Sequence, residues 1–186
     1  MGKFSFNKTE IEGLWIIEPT VFGDDRGYFM ETYNHKEFSD AGLDMTFVQD
    51  NESKSKKGVL RGLHFQKEHP QGKLVRVVEG QIFDVAVDLR KESISFGKWH
   101  GMMLSGKNKK QLYIPEGFAH GFLVISEEAK ITYKCTNIYD PNDECGIKWD
   151  DEDINIDWPI EDIGKIILSE KDMKLKQFNY YSEEAE

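Results

Sequence analysis

Apolar and polar positions in this chain repeat with a period of two over most of its length. The clearest run interleaves Phe83, Val85, Val87 and Leu89 with Asp84, Ala86, Asp88 and Arg90, the pattern of a half-buried strand. Glu79-Gly80 supplies the turn before it. Residues 97–104 predict another strand, and Gly106-Lys107-Asn108 another turn. Residues 112–117 enter a hairpin that returns over 120–125. Strict alternation over 131–139 places Ile131, Tyr133, Cys135, Asn137 and Tyr139 on one face. Turn signals recur about every ten residues and helical periodicity is almost absent, which predicts an all-β sandwich or jelly roll.

The two ends add smaller elements. Residues 14–21 and the turn Gly23-Asp24-Asp25-Arg26-Gly27 read as two short strands around a tight connection, and 28–33 has strand composition. Asn34 and the residues after it open the one short helix before Gly42. Gln49-Asp50-Asn51 and the basic stretch 54–58 are read as a polar turn and a solvated charge run. The acid-rich stretch 150–162 is read as a solvated surface loop, and the piece from Ser169 onward as helical and folding back over the sheet.

A length of 186 residues with no linker or break in composition predicts one domain spanning 1–186. The formal net charge of −10 and a pI near 5.0 argue against nucleic acid or an anionic membrane as partner. Any phosphate bound here needs a local basic pocket. No apolar run is long enough to span a membrane. Two cysteines, Cys135 and Cys145, and no charged-then-apolar leader predict a cytoplasmic protein without disulfides.

Candidate chemistry concentrates in Gly58-Val59-Leu60-Arg61-Gly62-Leu63-His64-Phe65-Gln66 and Gly72-Lys73-Leu74-Val75-Arg76, strand-like runs holding more charge than a strand usually carries. A basic edge strand kept soluble by its charges is the plain alternative. His64 is the candidate general base, and Lys73 could neutralise an oxyanion formed on proton removal. In a regular strand Arg61 points away from His64, although Gly62 permits a bulge, so the geometry stays open. His120 follows the turn Pro115-Glu116-Gly117. Barrel metal sites use His-x-His, whereas this chain has His64-Phe65-Gln66, so no metal or other cofactor is expected. Tyr133 is the candidate acid, and spacing alone suits core packing at least as well.

Together, Asp25-Arg26-Gly27, Gln49-Asp50-Asn51, Leu60-Arg61-Gly62-Leu63-His64, Gln71-Gly72-Lys73 and Ile114-Pro115-Glu116-Gly117-Phe118-Ala119-His120-Gly121-Phe122 closely resemble the dTDP-4-dehydrorhamnose 3,5-epimerases, from about Ile11 to Met173. The resemblance implies a cupin-type jelly roll (double-stranded β-helix) with a few short peripheral and C-terminal helices. It also implies inversion of C3 and C5 of a dTDP-4-keto-6-deoxy sugar. His64 would be the base, Tyr133 the acid and Asp172 the residue orienting His64, with Lys73 facing the C4 oxygen. Arg26, Glu31, Gln49, Asp50, Asn51, Arg61, His120, Glu144 and Lys171 match substrate-binding positions. The family further implies a metal-independent homodimer that exchanges N-terminal strands, so that Arg26 and Glu31 serve the partner's site. Rival readings are a mono-epimerase or ketoisomerase on a related dTDP-4-keto sugar, a non-catalytic sugar-nucleotide-binding cupin, and a metal-dependent cupin oxygenase.

Overall fold

The computed structural model describes residues 2–183. The chain forms strands β1 (Phe4–Lys8), β2 (Trp15–Pro19), β3 (Phe22–Asp24), β4 (Gly27–Phe29), β5 (Gln49–Lys56), β6 (Leu60–Gln66) and β7 (Lys73–Glu79). They continue as β8 (Gln81–Asp88), β9 (Trp99–Ser105), β10 (Gln111–Ile114), β11 (Phe118–Val124), β12 (Glu128–Cys135) and β13 (Glu144–Gly146). One sheet has the order β1-β2-β10-β7-β12-β5, the other β13-β6-β11-β8-β9, and β3 pairs with β4 as a separate hairpin. Every paired strand is antiparallel. The result is a jelly-roll sandwich.

Three apolar layers follow. Val75, Val77, Leu112 and Ile131 of one sheet pack on Ile82, Ala86, Leu104 and Phe122 of the other. The outer face of the five-stranded sheet carries Leu60, Leu63, Val85, Val87 and Leu123, covered by Ile147, Ile154 and Trp158. Helix α1 (His35–Asp40), with Asn34 accepting from the Glu37 N–H at its start, buries Phe38 against Ile17, Leu74 and Tyr113 on the outer face of the six-stranded sheet. Among the described residues no helix is long and apolar enough to cross a membrane.

Both-sided cover corrects the half-buried reading of β8. Its period of two is as expected, but Asp84 and Asp88 have no exposed surface, because their face lies between the sheets and the apolar face is covered by the chain after β13. That cover also corrects the reading of 150–162 as merely solvated. Ile154 and Trp158 are buried, and Asp151 accepts from the Asp153 and Ile154 N–H groups and from that of Phe178, which starts helix α2 (Phe178–Glu183).

Other details differ from expectation. Residues 49–56 form strand β5, paired with β12 along its whole length, because β12 offers an open edge and alternate positions 49, 51, 53 and 55 turn inward. The expected hairpin of β10 and β11 is a crossover between sheets. Strand β4 stops at Phe29, and Tyr33 packs edge-on against Phe38 and Phe47, at centroid distances of 4.9 and 5.1 Å. Strand β12 ends at Cys135, where the Thr136 hydroxyl accepts from the Gly72 N–H and donates to Glu116. After Ser169 the chain first makes one 3-10 turn, Asp172–Lys174, and the expected C-terminal helix follows only as α2, whose Phe178 and Tyr181 pack on the outer layer of the five-stranded sheet.

Asp88 ends β8 and anchors the following loop. Burial alone would raise its pKa, but hydrogen bonds from Arg90, Ser93 and Ser95 outweigh it and lower the value from 3.8 to about 2. The ionised form is therefore favoured by folding, worth about 2 kcal/mol at neutral pH. This stability is present above pH ~4 and lost as pH falls towards ~2. Asp88→Asn should lower stability at pH 7 by about that amount and flatten the acid limb of a denaturation curve. An unchanged acid limb would show that Asp88 is not the titrating group.

Candidate active site

A cavity of about 390 Å³ lies between the sheets, lined among others by Arg61, His64, Lys73, His120, Phe122, Tyr133, Tyr139 and Glu144. Its side chains come from both walls. β6 and β11 supply Arg61, His64 and His120, while β5, β7 and β12 supply Asn51, Lys73 and Tyr133.

The β6 wall settles the position of Arg61. His120 is opposite His64, yet Phe122 is opposite Arg61, so two steps along β11 match three along β6. This bulge turns both Arg61 and His64 towards the cavity. Arg61 Nε donates to Ser55 Oγ at 3.2 Å, which leaves the rest of its guanidinium fork for a ligand.

His64 Nε2 lies 2.7 Å from Asp172 Oδ1. Asp172 is buried, and its other oxygen accepts from Ser169 Oγ at 2.7 Å. Burial opposes its ionisation, but these hydrogen bonds to His64 and Ser169 prevail and hold the carboxyl below its usual range. A carboxylate at Nε2 keeps the proton there and leaves the Nδ1 lone pair available. Nδ1 faces Glu144 Oε1 at 3.7 Å, beyond hydrogen-bonding distance.

On the opposite wall, burial pushes the Lys73 ammonium below its ordinary pKa, against the opposing pull of Cys135, Glu144 and Asp84. Its donors find no hydrogen-bond acceptor among the described residues, so they remain available to a developing anion. Burial pushes the Tyr133 phenol up, with a small contribution from Cys135, and keeps it protonated. The site thus combines an imidazole with a free lone pair, a neutral phenol and a desolvated cation. That set suits removing a proton beside a carbonyl, holding the enolate and returning a proton.

The family model described as dTDP-4-dehydrorhamnose 3,5-epimerase matches residues 8–180. The chain belongs to the dTDP-4-dehydrorhamnose 3,5-epimerase family. It is 58% identical over 176 residues to the dTDP-4-dehydrorhamnose 3,5-epimerase of Methanothermobacter thermautotrophicus, covering 95% of each chain. A crystal structure of dTDP-6-deoxy-D-glucose-3,5-epimerase from Legionella pneumophila, in complex with dTDP-4-keto-L-rhamnose, superposes with a TM-score of 0.91 at 48% identity, over 95% of this chain and 93% of that one. ChmJ, a 3'-monoepimerase from Streptomyces bikiniensis in complex with dTDP-quinovose, superposes with a TM-score of 0.85 at 32% identity, over 92% and 86%. The chain is therefore an isomerase with the cupin-type fold of the epimerase family.

The other residues singled out from sequence fall into two groups. Gln49 and Asn51 line the cavity, and Lys171 stands at its rim, bonded to Glu144. Asp50 points to the outer face of the sheet and pairs with Lys134, Glu31 bonds Lys3 and Asn34, and Arg26 sits on the exposed β3–β4 turn with Asp24. These three do not line the cavity.

Two residues were not singled out. Asp84 accepts from buried His120 Nε2 at 2.8 Å, and its signal was an acidic residue within an otherwise apolar strand. Gln66 stands where a barrel metal site would place its second imidazole. Here its amide donates to the carbonyls of His69 and Ile138 and accepts from the Asp140 N–H, clamping the loop that carries Tyr139. Among the described residues no group of three or more His, Cys, Asp or Glu side chains could hold a metal ion.

Asp172→Asn should lower kcat by roughly a hundredfold with KM nearly unchanged, because the amide can present its N–H to His64 and favour the wrong tautomer. Wild-type kcat in that variant would remove Asp172 from the mechanism.

Proposed function

We propose that the chain converts dTDP-4-dehydro-6-deoxy-D-glucose to dTDP-4-dehydro-L-rhamnose by inverting C3 and C5, with His64 as base and Tyr133 as acid. The observation carrying this reading is that His64 and Tyr133 open on one cavity from opposite sheets. Inversion needs a proton taken from one face of the sugar and returned to the other, and two walls provide two faces. Both C3 and C5 hydrogens are α to the C4 carbonyl, so one enolate chemistry serves both carbons. His64 Nδ1 removes the proton, Lys73 stabilises the charge on the C4 oxygen, and Tyr133 donates from the far side. Arg61, Gln49, Asn51 and His120 hold the substrate, with the guanidinium fork suited to phosphate oxygens in an otherwise acidic chain.

We also propose a homodimer of single-domain subunits in the cytoplasm. Val21, Phe22, Tyr28 and Phe29 expose large apolar surface on and beside the β3–β4 hairpin, which also carries Arg26. Such a patch fits a second copy, and docking there would bring Arg26 to the partner's cavity. No disulfide joins Cys135 and Cys145, in keeping with a reducing compartment. Light scattering should give about twice the mass of one 21.6 kDa chain, and Phe29→Glu should shift the population towards monomer. A monomeric wild-type protein would overturn the dimer.

The division of labour is tested in deuterium oxide with the 4-keto sugar nucleotide. His64→Asn should exchange hydrogen at neither C3 nor C5. Tyr133→Phe should still exchange at one or both, returning label on the original face, while inverted product falls by about two to four decades. Doubly inverted product at the wild-type rate from Tyr133→Phe would make that tyrosine a packing residue. Product inverted at a single carbon by the wild-type protein would instead place the activity with the mono-epimerases.

A further inference from the structure

An inversion divided between two residues leaves His64 with an added proton and Tyr133 without the one it gave. A second inversion on the same substrate requires His64 to lose its proton first. The proton to be lost sits on Nδ1, since Nε2 keeps its own against Asp172, which is buried and bonded in turn to Ser169. The Nδ1 side leads outward. Glu144 presents Oε1 to His64 Nδ1 at 3.7 Å, while its Oε2 accepts hydrogen bonds from the Tyr139 hydroxyl and the Lys171 ammonium. The Glu144 side chain is 10% exposed and that of Lys171 52%, so the carboxylate bridges the buried base and the solvated rim.

We propose that Glu144 is the proton exit that resets His64 between the two inversions. This rests on His64 being the base. The N–H bond at Nδ1 breaks, an O–H bond forms at Oε1, and the resulting carboxylic acid releases that proton to water at the cavity mouth. Electrons and charge balance at each step, with imidazolium and carboxylate becoming imidazole and acid, then acid and water becoming carboxylate and hydronium. A separation of 3.7 Å is closed by the attraction that appears once the imidazole is charged, or by one bridging water. Burial opposes ionisation of Glu144, but hydrogen bonds from Lys171 and Tyr139 more than offset it and keep the carboxyl below its usual range. An acceptor so held passes its proton on and returns to the charged form. A residue that only bound substrate would need no oxygen facing the base.

The test uses Glu144→Gln with the 4-keto sugar nucleotide, at low buffer concentration. The first proton removal, followed in a single turnover in deuterium oxide, should stay within about threefold of wild type, while steady-state turnover falls by about a hundredfold. Raising imidazole or formate concentration should restore turnover in the variant and leave wild type unaffected. Glu144→Asp, which keeps a carboxylate, should retain more turnover than the amide and respond less to buffer. Equal loss of first removal and turnover, a rise in KM alone, or no response to buffer in either variant would overturn the relay. Wild-type protein that exchanges neither C3 nor C5, or His64→Asn that exchanges both, would instead sink the assignment of His64 on which the relay rests.

Discussion

The active site depends on a close backbone approach between Gly62 of β6 and Gly121 of β11. A Cβ on Gly62 would fall 2.6 Å from both the Gly121 Cα and the His120 carbonyl oxygen, and one on Gly121 would fall 2.8 Å from the Arg61 carbonyl oxygen. Those neighbours are backbone and cannot step aside. Gly62 also has a φ of +106°, in the region that L side chains rarely adopt. The two glycines thus permit the bulge that adds one residue to β6 against β11. Without it Arg61 would turn to the outer layer occupied by Leu60 and Leu63, and the cavity would lose its cation on that wall.

Around that bulge the fold accepts polar groups where a sandwich normally buries apolar ones. Most are compensated locally, as in His64 with Asp172 and His120 with Asp84. Lys73 and the outer nitrogens of Arg61 are not. Both lack an acidic partner in hydrogen-bonding contact, and for Lys73 burial makes this a costly arrangement that an anionic ligand would relieve. The apolar layers on the outer faces, including Trp158 and Phe38, offset that cost at positions remote from the chemistry.

The period-two pattern made most strands of both sheets legible, and Asn34 marked the start of the helix it caps. It could not say what covered each face. The alternation in β8 reads as one covered and one open face, yet Asp84 and Asp88 face the other sheet while Val85 and Val87 lie under a later segment whose acidic composition hides Ile154 and Trp158. Residues 49–56 look like a loop because their inward side chains are Gln, Asn and Ser, which suit a cavity wall and not a core. Within the site, His64, Lys73, His120 and Tyr133 were visible from residue type and strand position. Asp172 was not, since its contact with His64 spans 108 residues and no local spacing encodes it; only the family motif pointed to it.

The strand bearing the base is also where distant parts of the chain converge. β11 pairs with one edge of β6 and β13 with the other, and the 3-10 turn at Asp172 closes on it through His64 and the Gly62 N–H. Each contact fixes a different property of the same imidazole. The β11 bulge sets which way it points, the turn at Asp172 sets which nitrogen carries the proton, and β13 sets what faces the nitrogen left free. A mobile loop could carry the same side chains, but it would leave each property to a separate equilibrium. Placing the base on a strand paired on both edges makes orientation, tautomer and surroundings consequences of one packed arrangement, so a base lone pair is already aimed into the cavity before substrate arrives.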